Sequence, residues 1–156
     1  MKELRGETMN MIPSGHMQRG EETRRIKNRE AFLYFLDLEV KRARRYQEFL
    51  SIIVLRLLQS AQVPEDKFIP MEECDKTLKD VLAKEVRETD ILGTLEKDKI
   101  AILLPYADAE SSGLAQSRIK HFLKPYDFKG KGCEVEFRRL CFPVDGINTM
   151  DLIDKC

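Results

Sequence analysis

Residues 87–105 read RETDILGTLEKDKIAILLP, and the placing of polar and apolar residues along that stretch decides the fold. Two short runs rich in Ile and Leu, 91–95 and 99–104, flank the polar triplet Glu96-Lys97-Asp98, and Pro105 stops the second run. Two β-prone runs across a tight polar turn predict an antiparallel hairpin. Upstream, Leu78, Val81, Leu82 and Val86 recur at helical spacing, which predicts a helix ending near Arg87. Downstream, a helix over 108–124 is expected to turn Leu114, Ala115, Ile119, Phe122 and Leu123 inward.

Further out, Phe32, Phe35, Leu36, Val40 and Ala43 form one apolar stripe on a helix running to about Phe49. The run LSIIVLRLL at 50–58 is nearly all apolar and β-branched in its middle, so it reads as a central strand covered on both faces. Pro64 and Pro70 frame a loop, and Gly130-Lys131-Gly132 is a turn. Cys133, Val135, Phe137, Arg139 and Cys141 alternate as a strand with one mostly apolar face. Pro143 to Gly146 makes another turn, and a short final helix carries Met150, Leu152 and Ile153. The order α-β-α-β-β-α-β-α contains a split β-α-β-β-α-β core behind a leading helix. The expected class is therefore α+β: helices packed on an antiparallel or mixed sheet, the ferredoxin-like palm found in nucleotide cyclases and polymerases. Topology of that kind names no function by itself.

With 156 residues the chain is one domain plus a short appendage, divided as a flexible lead over 1–20 and a folded domain over 21–156. The lead is rich in Met, Gly and polar residues without a sustained period, so His16 carries no functional weight. The 27 basic and 27 acidic side chains cancel, which argues against a polynucleotide partner. The basic run Lys41-Arg42-Ala43-Arg44-Arg45 is read as the solvated face of a helix, because Glu39 and Glu48 interrupt its field. Four cysteines without CxxC spacing and two scattered histidines argue against a zinc site, and no cofactor is implied. Cys133 and Cys141 are expected to be buried thiols. No apolar run approaches the ~18 residues of a membrane span and no signal peptide is visible, so the expected setting is cytoplasmic.

Several spaced features in the right order resemble the GGDEF family, whose active members are diguanylate cyclases. Arg25-Ile26-Lys27-Asn28-Arg29-Glu30-Ala31-Phe32 resembles the family's GLxNRRxF opening, and Leu50 to Leu58 is similar to its first strand. Residues 87–105 match RxxD, five residues, GGDEF and a closing Leu-Pro in spacing, and Cys141-Phe142-Pro143-Val144-Asp145-Gly146 resembles xYPxDG. The resemblance covers about residues 21–155.

The departures bear on the chemistry that the resemblance implies. Family cyclases condense two GTP molecules using Mg²⁺ held by an Asp at the end of the first strand and by acidic hairpin residues; the metal neutralises triphosphate and lowers the pKa of the attacking hydroxyl. Here the strand position is Arg56, a permanent cation. Glu96 and Lys97 replace the two glycines that let backbone approach the nucleotide, Asp98 matches the first acidic position, and Lys99 replaces the second. The Asn-Asp pair expected after the first strand gives way to a loop around Pro64-Glu65, and the late SxG strand reads Glu136-Phe137-Arg138. One carboxylate beside Arg56 and Lys99 does not hold two metal ions, so no catalytic residue and no metal ligand is assigned. Asp98 is expected to be a turn residue; the alternative is that Arg56 neutralises it as an ion pair, a structural remnant of a metal site.

The Arg-x-x-Asp motif survives as Arg87 and Asp90. In the family this motif binds intercalated cyclic di-GMP and inhibits the enzyme. Guanine offers O6 with N7 to a guanidinium fork and N1–H with N2–H to a carboxylate. Spacing of three on a helix end is expected to put Arg87 and Asp90 on one side. Arg118, 22 residues beyond Glu96, matches the family's second arginine. Against this stands a plain reading: an exposed i,i+3 ion pair worth ~0.3–0.5 kcal/mol, Asp90 holding the helix-to-strand turn, and Arg118 as an ordinary surface residue. Two functions from different classes follow. One is a catalytically inactive receptor for cyclic di-GMP, two protomers being bridged by a stacked ligand dimer; the other is a ligand-free module for dimerisation or for docking a signalling protein. An enzyme with altered metal ligands ranks last.

Overall fold

The computed structural model of the protein describes residues 25–60 and 70–156; the lead with His16 and the loop around Pro64 lie outside the described residues. The elements are β1 (Ile26–Lys27), α1 (Arg29–Tyr46), β2 (Leu50–Gln59), α2 (Met71–Glu85), β3 (Ile91–Glu96), β4 (Lys99–Pro105), α3 (Ala109–Leu123) with a 3-10 turn at Lys124–Tyr126, β5 (Cys133–Phe142) and α4 (Thr149–Lys155). One mixed sheet takes the order β1-β3-β4-β2-β5. β1 runs parallel to β3, and all other pairings are antiparallel. This is the α+β architecture expected from the pattern.

β2 is buried on both faces because its apolar run never alternates. Ile53, Leu55 and Leu57 pack with Leu78 and Leu82 of α2 and with Ile119 and Leu123 of α3. Leu50, Ile52 and Val54 pack with Phe32, Leu36, Val40 and Ala43 of α1 and with Leu152 of α4. Two helices thus cover each face, and removing this apolar surface from water, at about 25 cal/mol per Å², drives the assembly. Cys133 and Cys141 are both buried. Burial, with the Cys74 thiol alongside, pushes the Cys133 thiol up to about 12, so it stays protonated and inert.

Several boundaries differ from the sequence pattern, each for a local reason. The two-residue β1 has no period to detect and exists only through its pairing with β3. α1 ends at Tyr46 because Gln47 turns left-handed (φ 56) and its N–H bonds the Ala43 carbonyl. Leu114 is 68% exposed rather than inward. The α3 stripe is Ser112, Ala115, Ile119, Phe122 and Leu123, which leaves Leu114 about 130° from its centre; the buried Ser112 hydroxyl donates to the Ala109 carbonyl at 3.1 Å. Met150 is likewise exposed, Leu152 alone being fully buried in α4. Within the basic run, Lys41 pairs with Asp37 and Arg42 with Glu39 and Glu48, while Arg44 donates to the distant Ile147 carbonyl.

At Gly93 helix α1 packs tightly on the sheet. A Cβ there would lie 2.5 Å from the Phe32 ring, itself fully buried. Gly93→Ala is therefore expected to lower stability by about 1–3 kcal/mol through overpacking. Urea unfolding checks this, and a variant as stable as the parent would contradict the packing described.

Candidate functional site: a cleft at the end of α2

α2 stops at Glu85, Val86 is its extended C-cap, and residues 87–90 form a turn rather than a helical end. The Asp90 N–H donates to the Arg87 carbonyl at 3.0 Å, which closes the turn. Arg87 and Asp90 are thus brought together by turn closure, not by helical i,i+3 spacing. A residue outside the motif fixes this geometry. Arg25, just before β1, donates from its guanidinium to the carbonyls of Ala83 (2.8 Å), Val86 and Arg87. Its cation sits at the C-terminal end of α2, where unpaired carbonyls and the helix dipole favour it. Sequence reasoning missed Arg25 in this role, since its partners lie about sixty residues away and no local period marks them.

Across from the turn, β4 ends at Leu104-Pro105 and Tyr106 takes a left-handed conformation (φ 65). Asp108 then caps α3 by accepting the Ser111 N–H at 2.8 Å, and this hydrogen bond holds its carboxyl below the ordinary 3.8. The buried Ser51 hydroxyl of β2 donates to the Ala107 carbonyl at 2.8 Å and ties the connection to the sheet. Between these pieces lies a cleft of about 530 Å³ lined by Arg87, Thr89, Asp90, Leu104, Tyr106, Leu114, Ala115 and Arg118, among others. The structure therefore gathers all three residues singled out from the sequence, Arg87, Asp90 and Arg118, around one concavity. The exposed Leu114 belongs to its wall.

Burial pushes the Asp90 carboxyl above 3.8, while the positive charges of Arg118, Arg87 and Arg25 act against that rise. The ion pairs among the described residues do not include one between Asp90 and Arg87 or Arg118. Arg87 and Arg118 thus line the cleft beside a half-buried carboxylate without an ion pair to it, offering two guanidinium forks and one acceptor to a shared space, while the Arg25 guanidinium is taken up by backbone carbonyls.

The second candidate region is the β3–β4 hairpin tip. Lys97 and Asp98 form its two-residue turn, and the Asp98 carbonyl accepts the Leu57 N–H at 2.9 Å. The Asp98 carboxylate pairs with Nε of Arg56 at 3.2 Å. Lys99 lies 3.8 Å from Glu96 and donates to the Cys156 carbonyl at 3.4 Å. Lys99 and Glu136 are the cross-strand partners of Arg56 on β4 and β5. The donor set is the Asp98 carboxylate held by a guanidinium, with Glu96 and Glu136 each set beside a cation, Lys99 and Arg56. Among the described residues no three His, Cys, Asp or Glu side chains cluster as metal ligands would. These residues do not fit the two Mg²⁺ ions that the family's chemistry uses.

No protein-family model matches the chain, and no curated protein matches it in sequence. Solved structures match it clearly. A diguanylate cyclase protein from Thermotoga maritima superimposes with a TM-score of 0.66 at 18% identity, over 83% of this chain and 92% of that one. The GGDEF domain of DgcB from Caulobacter crescentus, in complex with cyclic di-GMP, does so with 0.66 at 11% identity, over 83% and 78%. The GGDEF domain of FimX from Pseudomonas aeruginosa gives 0.62 at 15% identity, over 83% of each chain. The chain has the fold of GGDEF domains. Among the described residues no helix is long and apolar enough to cross a membrane.

The environment of Asp90 has a measurable consequence. A carboxyl whose folded-state pKa lies above its unfolded value of about 3.8 makes stability fall as pH rises from that value through the folded one. Asp90→Asn removes this fall. The variant should match or exceed the parent in urea midpoint at neutral pH, the difference vanishing below about pH 4, where the parent is protonated in both states. A variant clearly weaker than the parent at pH 7 would mean instead that the carboxylate holds the turn.

Proposed function

We propose that this chain is a degenerate member of the GGDEF family, a signalling domain without cyclase activity that binds cyclic di-GMP in the cleft of Arg87, Asp90 and Arg118. The observation that carries this reading is convergence. Residues from the α2–β3 turn and from the middle of α3 face one concavity, with their charges unpaired to one another. A guanidinium fork matches guanine O6 and N7, and a carboxylate matches N1–H and N2–H. Asp90 is penalised by burial in the free protein, and a paired N–H donor from a base relieves that penalty. The relative from Caulobacter crescentus with the same fold was solved in complex with this dinucleotide, which supports the ligand class.

The absence of cyclase chemistry is argued from the hairpin. A metal ion seated at Asp98 would have to break the 3.2 Å pair with Arg56 and then sit beside two cations. Glu96 and Lys97 add side chains where the resemblance leads one to expect glycine. The proposed role is reception of a signal, not its synthesis.

Titration calorimetry with cyclic di-GMP tests the receptor. Binding is expected for the parent, and Arg87→Ala, Asp90→Ala and Arg118→Ala should each weaken it by about tenfold or more, the scale of a lost charge-assisted hydrogen bond of ~1.5–3 kcal/mol. No heat at high micromolar ligand would leave the ligand-free interaction module standing. Incubation with GTP and Mg²⁺ or Mn²⁺ should give no dinucleotide, and product formation would overturn the inactive reading.

A further inference from the structure

Tyr106 has features that core packing does not require. It belongs to neither hydrophobic cluster and is 63% exposed. Its φ of 65° is one that a non-glycine residue adopts at a cost. Yet it lines the same cleft as Arg87, Asp90 and Arg118. One face of its ring is covered: the Cζ of Arg42 stands 4.1 Å from the ring centroid. Arg42 is itself fixed, with Nε and Nη2 donating to Glu39 at 2.9 and 2.7 Å and Nη1 to Glu48. An arginine pinned by two carboxylates and laid on an aromatic ring holds that ring in place through a cation–π contact. Among the described residues no second ring or cation stacks on Tyr106, so its exposed ring can take a flat partner.

We infer that Tyr106 is the stacking face of the cleft, against which a purine ring of the ligand lies while the Arg87, Asp90 and Arg118 groups meet its edge. This rests on the cleft being a cyclic di-GMP site and adds a contact outside the Arg-x-x-Asp motif. Edge contacts alone leave a base free to tilt about its hydrogen bonds, whereas a pre-fixed aromatic plane restricts that motion before binding. Arg42, Glu39 and Glu48 then act as positioning residues: Arg42 touches the ring, and the two glutamates hold Arg42.

The test uses calorimetry together with tyrosine emission, which is clean here because the chain has four Tyr and no Trp. Tyr106→Ala is expected to weaken cyclic di-GMP binding by about tenfold, as loss of one base–aromatic stack does. Tyr106→Gly should weaken it comparably while melting no lower than the parent, since glycine relieves the left-handed backbone; this separates loss of the ring from loss of the fold. Tyr106→Phe keeps a ring and should hold the affinity within about threefold, but ligand-induced quenching of tyrosine emission should largely disappear. If the Ala and Gly variants bind as the parent does while Arg87→Ala has lost binding, the stacking role falls and the cleft reading survives. If the parent binds no cyclic di-GMP, the cleft reading fails first and this inference fails with it.

Discussion

The structure depends on one strand being enclosed on every side. β2 is hydrogen-bonded to β4 along one edge and to β5 along the other, and its apolar side chains are buried on both faces. A strand so placed accepts only one register, because a one-residue slip would exchange its two buried faces and drive Arg56 inward. That register pairs Leu50 with Pro105 and Arg56 with Lys99, fixing both ends of β4. At one end it delivers Pro105, Tyr106 and the N-terminus of α3 to the cleft. At the other it lays Arg56 beside the hairpin tip. The two regions where function was sought are opposite ends of one β-pairing.

Charge at the hairpin end is spent on structure. Arg56 is paired with Asp98, Lys99 reaches the Cys156 carbonyl, and Arg138 donates to the Lys155 carbonyl at 2.8 Å. The last two contacts place cations at the C-terminal end of α4, where the helix dipole favours them. At the cleft end the opposite holds. Arg25 bonds the backbone carbonyls at the end of α2, and Arg87 and Arg118 form no ion pair with Asp90. Exposed pairs such as Arg56–Asp98 contribute ~1 kcal/mol at most, so the contrast lies in availability for a ligand and not in stability.

How much of this was legible in the sequence depended on the range of the interaction. The hairpin over 91–105, the enclosed strand and the stripe of Phe32, Leu36, Val40 and Ala43 are local patterns, and they appear where periodicity put them. The Arg56–Asp98 pair followed from two positions aligned with a known motif. What sequence did not reveal was non-local or irregular. β1 exists only as the partner of β3, Leu114 is turned out because Ser112 takes the inward place, and 87–90 is a turn although its spacing suited a helix. Arg25 and Tyr106 escaped for the same reason: one acts on carbonyls far along the chain, the other matters through a backbone angle and an arginine on another helix. The cleft was anticipated by its three charged residues but not by its supports.

An NMR titration of the labelled protein with cyclic di-GMP tests the central claim most directly, because one set of amide shifts reports both ends of β4. Movement is predicted at residues 87–90, 104–107 and 111–118, with residues 54–57 and 96–99 left unchanged. Shifts centred on 96–99, strengthened by Mg²⁺, would place the ligand at the hairpin tip and contradict the account.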